Sequence, residues 1–219
     1  MRTHELGWLT HDMALPPSIE FFFDPACPWT WMTSRWLVDA AARTGTEIRW
    51  RNLSLSVVNA DREIPEQYRA AMRSARGAHR IIAALLADGR NDLVGDFYTE
   101  WGRRFHHDHL EATDQVGPDV AAAVGAEKWA EVAHDDSWDA AIEASTREAQ
   151  ELAGGSDVGS PVLVFGDPRR GIFGPIVSPP PSGDGAVALL EHVVAAASMP
   201  NFYELKRGRR SGPEFGPRP

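Results

Sequence analysis

The sequence predicts an α/β protein in which a small sheet is interrupted by a block of helices. Three observations support this fold class. A strand–helix–strand pattern opens the chain, helical patterns then run through residues 65–153 without a convincing strand, and a β-hairpin pattern followed by a last helix comes near the end. A chain of 219 residues is long enough for one core with an inserted subdomain.

The opening unit is defined by local signals. The stretch SIEFFF, residues 18–23, is a short apolar run rich in aromatic residues and predicts a buried strand. Pro28 suits the first turn of a helix, and apolar residues at helical spacing extend that helix to about Arg43, before Gly45. EIRWRNLSL, which starts at Glu47, predicts a second strand. Such units are right-handed crossovers between parallel strands.

The remaining elements complete the order. Gly, Asp and Asn breaks divide the middle of the chain into helices. SPVLVFG (160–166) and GIFGP (171–175) predict a β-hairpin, and Ser182 is the predicted N-cap of the last helix. The order β-α-β, helices, β-β-α is that of a thioredoxin-type core with a helical insertion.

The predicted parts are an N-terminal extension (1–17), a thioredoxin-like domain in two pieces (18–62 and 156–200), a helical insertion domain (63–155) and a C-terminal tail (201–219). We expect the tail to be extended and partly disordered.

Composition excludes several classes of function. The formal net charge of −9 argues against nucleic acid as a partner, because phosphate binding needs a basic face. No apolar run approaches the roughly 18 residues that span a bilayer, and the first residues lack the pattern of a signal peptide. We therefore expect a cytoplasmic protein with no membrane partner. One cysteine excludes an internal disulfide framework and a cysteine-based zinc site.

The only cysteine, Cys27, is predicted to lie where the first strand gives way to the first helix. Unpaired N–H groups and the helix dipole favour a thiolate there, so we predict a pKa below the value of about 8.5 for a free cysteine. Thr30 follows one turn later, where its hydroxyl can donate a hydrogen bond to the sulfur. A reactive thiol is favoured over a buried cysteine that only fills space. Without a second cysteine, any mixed disulfide at Cys27 must be resolved by a thiol from outside the chain.

Other candidate ligand sites are weaker. The run HHDH, with His106, His107 and His109, could suggest a metal, but it lacks the helical i, i+4 histidine pair with a glutamate base. We interpret it as the solvated end of a helix. No dinucleotide or phosphate-loop pattern occurs, so no bound cofactor is predicted. Four tryptophans are predicted to anchor the core: Trp36, Trp101, Trp129 and Trp138.

Several stretches resemble a known family. FFFDPACPWTW after the first strand, the helical insertion, and VGSPVLVF at the third strand resemble the DsbA-like branch of the thioredoxin superfamily. WRNLSLSVVNADREIPEQYR and FGPIVSPPPSGDGAVALLEHVVAAASMPNFYELKR resemble the mycothiol-dependent nitroreductase group within that branch. Members of that group usually carry Cys-Pro-Trp-Cys, and this chain has Thr30 at the last position. The resemblance covers roughly residues 18–207.

The resemblance implies a thiol-dependent oxidoreductase with Cys27 and Thr30 as catalytic residues. Mycothiol, or a similar small thiol, would be its cosubstrate and a small electrophile such as a nitroaromatic its substrate; no metal is expected, and a homodimer is left open. The resemblance also implies that the Ser160–Pro161 bond is cis and faces Cys27, and that the helical insertion forms a lid. The predicted substrate-binding residues are Pro28, Trp29, Asn59, Tyr68, Ser160 and Pro161.

Two alternatives stay open. A glutathione-transferase-kappa-like isomerase or transferase would use the same fold without net redox chemistry, although that group usually has serine at the position of Cys27. A redox-dead binding or chaperone module would keep the fold and lose the chemistry. Consumption of thiol together with substrate separates the first alternative from the oxidoreductase. Modification of Cys27 by any thiol separates both enzymes from the binding module.

Overall fold

A mixed sheet forms the centre of the computed structural model, which describes residues 15–219. Its strands are β1 (Ser18–Phe23), β2 (Glu47–Asn52), β3 (Val162–Phe165) and β4 (Arg170–Phe173). They follow the order β2-β1-β3-β4 across the sheet. β1 runs parallel to β2, whereas β3 runs antiparallel to both β1 and β4. The parallel pair and the hairpin are those that the sequence predicts.

The first helix, α1 (Pro28–Thr44), carries the chain from β1 to β2. Cys27 is its N-cap and Pro28 its first residue, as predicted. The helix ends at Gly45, whose φ of 73° lies in the left-handed region that glycine enters without steric cost. The local signals in this part of the sequence therefore place both ends of α1 correctly.

The last helix, α7 (Asp184–Ser198), packs beside α1. The indole N–H of Trp36 on α1 donates to the carbonyl of Ala186 at 2.9 Å. The prediction that Ser182 caps this helix is wrong, because Gly183 holds the N-cap position with φ 64° and ψ −143°. A backbone of that shape favours glycine over serine.

Between β2 and β3 the chain folds into helices, as predicted, and no described residue there forms a strand. The α-helices are α2 (Leu55–Val58), α3 (Glu66–Ala87), α4 (Asn91–Gly102), α5 (Val116–Ala123) and α6 (Asp139–Ala153). A π-helical turn (Arg103–His107) continues α4, and residues 127–134 and 136–138 form 3₁₀ helices rather than α-helix.

An aromatic core joins the sheet to these helices. Phe23 of β1 stacks on Tyr98 of α4 with ring centroids 4.1 Å apart, and both rings meet Trp50 of β2 edge-on. Three of the predicted anchors, Trp36, Trp101 and Trp129, are buried, and Trp138 packs against the same core while partly buried. The inserted helices thus lie directly against the sheet. The domain boundaries at 62/63 and 155/156 stay predictions.

The C-terminal tail contains no helix or strand, yet it packs against the rest of the molecule. Arg218 makes two hydrogen bonds, 2.8 and 2.9 Å long, to the carboxylate of Asp108. The Phe215 ring lies 5.5 Å from the ring of His106. These side chains attach the end of the tail to the helical insertion, and the predicted tail (201–219) stays a prediction.

The predicted N-terminal extension lies almost wholly outside the described residues. In residues 15–219, none of the helices is long and apolar enough to cross a membrane.

Candidate active site

Cys27 lies at the turn from β1 into α1. Its N–H donates to the carbonyl of Asp24 at 3.1 Å, and its own carbonyl accepts the N–H of Trp31 at 3.0 Å. These two bonds fix the cysteine at the start of the helix. Its thiol is free, and the residue is 8% exposed, so the surrounding protein nearly encloses the sulfur.

A chain of hydroxyl groups connects Cys27 to the loop before β3. Thr30 Oγ1 lies 2.7 Å from Ser160 Oγ, and the Thr30 hydroxyl is near enough to the Cys27 thiol to lower its pKa. Ser160 Oγ accepts the N–H of Asp24 at 3.0 Å, so its own proton is free for Thr30, and the Thr30 proton is then free for the sulfur. The Ser160–Pro161 bond is cis, as predicted. A hydroxyl group thus takes the place of a second thiol.

Burial raises the pKa of the Cys27 thiol above its ordinary value, and the negative charge of Asp24 adds to the rise. Hydrogen bonds from Thr30 and from the backbone of Trp29 lower the pKa, but their effect is smaller than that of burial. The predicted low pKa is therefore wrong. The sequence reveals the helix N-terminus, but it does not reveal how completely other elements exclude water from the sulfur.

A buried polar network, which the sequence analysis missed, lies directly before the cysteine. The carboxylate of Asp24 accepts the N–H groups of Ala26 and Leu55 at 2.9 and 2.7 Å. Asp24 Oδ2 also lies 3.3 Å from Nε2 of His79, on α3. On the other side of the imidazole, Nδ1 of His79 lies 2.7 Å from Oδ1 of Asn52. Asp24, His79 and Asn52 are all at least 96% buried, as their exposures are 4%, 1% and 1%.

The hydrogen bonds of this network determine where its protons lie. The side-chain amide of Asn52 donates to the carbonyl of His79 at 3.1 Å, so Oδ1 is the atom that faces the imidazole. Nδ1 of His79 must therefore donate to Oδ1. Nε2 of His79 then faces the Asp24 carboxylate, so the imidazole joins Asp24 to Asn52.

The histidine run lies against the same turn. His106 donates from Nε2 to the carbonyl of Pro25 at 2.9 Å and stacks on Trp31. Burial lowers the pKa of His106 to about 4, so its ring is neutral at neutral pH. The interpretation of the run as a solvated helix end is wrong for His106, because the wider π-helical turn brings this side chain inward. His107 accepts the Trp31 indole N–H at 3.2 Å, and His109 is the exposed member of the run.

The predicted substrate-binding residues fall into two groups. Pro28 and Trp29 follow Cys27 in the chain. Ser160 contacts the hydroxyl of Thr30, and Pro161 is the next residue after Ser160. Asn59 caps α2 and donates to the carbonyl of Leu55, and Tyr68 is 55% exposed near the start of α3. Neither forms a hydrogen bond to Cys27 or Thr30. A role for them in substrate binding stays a prediction.

Trp29 has a neighbour that the sequence analysis did not foresee. The guanidinium carbon of Arg209, in the C-terminal tail, lies 4.3 Å from the centroid of its ring. Trp29 itself is half-buried. No local sequence pattern connects these two residues, since their contact depends on the path of the tail.

Comparison with known proteins agrees with this arrangement. The model of the Rv2466c-like family, described as mycothiol-dependent nitroreductase Rv2466c, matches residues 26–207. The chain belongs to this family. The predicted family and fold class, an α/β thioredoxin-like fold of the DsbA type with a helical insertion, are confirmed. Family membership makes the protein an enzyme of the thiol–disulfide type.

Individual relatives are more distant. The uncharacterized protein Rv2286c of Mycobacterium tuberculosis (strain ATCC 25618 / H37Rv) is 29% identical over 199 residues, which are 87% of this chain and 81% of the relative. The probable DsbA oxidoreductase SCO1869 from Streptomyces coelicolor is similar in structure, with a TM-score of 0.55 and 18% identity, and the match covers 87% of this chain and 99% of that one. The cytosolic disulfide reductase DsbM from Pseudomonas aeruginosa with GSH is similar with a TM-score of 0.52 and 19% identity, and the match covers 81% of this chain and 99% of that one. At these identities, the two structures support the fold alone.

Proposed function

We propose that the protein is a cytoplasmic thiol-dependent oxidoreductase that uses Cys27 and a low-molecular-weight thiol, mycothiol, to reduce nitroaromatic or other electrophilic substrates. The hydroxyl of Thr30, which lies beside the Cys27 thiol and 2.7 Å from Ser160 Oγ, is the observation that carries this proposal. Where a dithiol enzyme would place a second sulfur, this chain can donate a hydrogen bond but cannot form a disulfide. An external thiol has to supply the second sulfur.

The proposed cycle balances with two molecules of thiol. Cys27–SH, one thiol RSH and a nitro compound give the mixed disulfide Cys27–S–SR, a nitroso compound and water. Two sulfur atoms are oxidised by one electron each, and the nitrogen is reduced by two. A second RSH then attacks the mixed disulfide, restores Cys27–SH and leaves as RSSR. A substrate disulfide would enter the same cycle by direct exchange at Cys27.

The surrounding residues have separate roles in this proposal. The Thr30 hydroxyl stabilises the Cys27 sulfur when it departs as a thiolate. The backbone of Ser160 precedes β3, so it can hydrogen-bond the arm of the bound thiol. Trp29 offers an apolar ring for an aromatic substrate, and Asn59 and Tyr68 would bind polar groups at the rim. The inserted helices would exclude water from the sulfur, and the low exposure of Cys27 supports this role.

Incubation with mycothiol disulfide, followed by intact mass, tests the proposal. We expect one mycothiol adduct per chain, removed by added thiol, and no adduct in the matched variant Cys27→Ser. Under turnover with a nitroaromatic, mycothiol should be consumed together with substrate. A folded wild-type protein that takes up no adduct would contradict the proposal. Conversion of a substrate without thiol consumption would instead favour the glutathione-transferase-kappa-like isomerase.

A further inference from the structure

The C-terminal tail brings an unusual charge to the Cys27 site. Lys206, Arg207, Arg209 and Arg210 give a segment, 206–210, with four basic residues in a protein of net charge −9. None of the four forms an ion pair with a carboxylate of the described chain, and all are exposed. In contrast, most other described arginines are paired, as Arg80 is with Asp139 at 2.7 Å. The basic segment therefore has positive charge that no carboxylate of residues 15–219 neutralises.

The end of the tail is attached to two separate segments of the molecule. Beyond the basic segment, the N–H of Glu214 donates to Ser178 Oγ at 3.0 Å, and the two hydrogen bonds of Arg218 to Asp108 follow. Phe215 packs against His106 and His107, with both ring distances at 5.5 Å. The basic segment lies between these anchors and the end of α7, and within it Arg209 makes the contact with Trp29.

We propose that Arg209, held over the indole of Trp29, is a specificity-determining residue that selects an anionic aromatic substrate, one bearing a carboxylate or similar group, for Cys27. The substrate ring would pack against the part of the indole that Arg209 leaves uncovered, and the guanidinium would pair with the anionic group in a planar, two-pronged geometry. Lys206, Arg207 and Arg210 add to the positive potential that attracts the anion. This inference rests on the proposed function only in taking Cys27 as the reacting thiol.

Two aromatic disulfides of different charge provide the probes. Dithiobis(nitrobenzoate) is anionic, and dithiodipyridine is neutral. In each case the Cys27 thiolate attacks one sulfur, a mixed disulfide forms, and an aromatic thiolate leaves with a measurable absorbance. Because the chain has one cysteine, each rate reports Cys27 alone. The measured quantity is the ratio of the anionic to the neutral rate constant.

We expect Arg209→Gln to lower this ratio about three- to tenfold by slowing the anionic reagent while leaving the neutral one unchanged. Arg209→Lys keeps the charge but loses the planar guanidinium, so its ratio should lie between those of the wild type and Arg209→Gln. Arg147→Gln, which removes the same charge from the surface of α6, is the matched control and should leave the ratio unaltered. Added salt should reduce the ratio in the wild type and much less in Arg209→Gln.

The inference would be overturned if Arg209→Gln left the ratio of the two rate constants unaffected. If both rate constants rose equally, the tail would only obstruct Cys27. Neither probe requires catalytic turnover. If no mycothiol adduct formed but the ratio still depended on Arg209, the proposed function alone would be rejected. If the adduct formed but the ratio did not depend on Arg209, only the role of Arg209 would be rejected.

Discussion

At the scale of single residues, the reactivity of Cys27 depends on two opposing effects. Burial disfavours the thiolate, and the hydrogen bonds from Thr30 and the start of α1 favour it. Since burial is the larger effect, the free protein keeps Cys27 as a thiol at neutral pH. The sulfur must then lose its proton during each reaction, and the hydroxyl of Thr30 is the group that can stabilise the charge as it appears.

Thr30→Val tests this balance, because it removes the hydroxyl and keeps the shape. We expect the pH midpoint of alkylation of Cys27 by iodoacetamide to lie above about 8.5 in the wild type and higher still in the variant. Below the midpoint, the rate should fall about tenfold, since a hydrogen bond to a charged group is lost. Thr30→Ser retains the hydroxyl and serves as control. Equal midpoints for wild type and Thr30→Val would show that the hydroxyl does not act on the sulfur.

At the scale of elements, α3 is joined to the sheet by a buried pair of titratable side chains. His79 reaches from α3 to Asp24, after β1, and to Asn52, at the end of β2. Removal of the imidazole leaves the buried Asp24 carboxylate with only the two backbone N–H groups as partners. This contact both attaches the inserted helix and fixes the turn that carries Cys27.

We expect His79→Leu to lower the free energy of unfolding by about 3–5 kcal/mol, the usual effect of removing a partner from a buried carboxylate. Urea denaturation measures this loss, and His192→Leu, at an exposed histidine of α7, should cost little. The double variant Asp24→Asn/His79→Leu should be less destabilised than the sum of the single variants, because it removes both partners. Additive losses would mean that the two side chains are not coupled.

The elements differ in how far the sequence predicts them. The ends of α1 are encoded by Pro28 and Gly45, which act locally, and the two strand signals next to them are equally local. The pairing of Asp24 with His79 spans 55 positions and follows from the packing of α3 on the sheet, for which the sequence has no pattern. The inward turn of His106 depends on the π-helical turn, which changes the helical period without a residue that signals it.

At the scale of the whole molecule, the site is assembled from parts that are far apart in sequence. The turn after β1 supplies Cys27, the loop before β3 supplies Ser160, and the inserted helices supply His79 and His106. The tail then covers Trp29 from the outside through Arg209. The first two contributions are predictable from the motif and the fold order. The others require the tertiary structure, since each depends on where a separate segment packs.

The position of the tail gives a prediction that involves no change of charge. Phe215 is the apolar anchor of the tail on His106 and His107, and Phe215→Ala should loosen the segment that places Arg209 over Trp29. We expect the ratio of anionic to neutral disulfide rates to fall about two- to threefold, in the same direction as for Arg209→Gln. Tyr203→Ala, at a tail residue that is 88% exposed, is the control and should leave the ratio as it is. If Phe215→Ala kept the full ratio while Arg209→Gln lost it, the cation–π contact and the remaining tail contacts would be enough to hold Arg209 in place, and Phe215 would have no part in selecting the substrate.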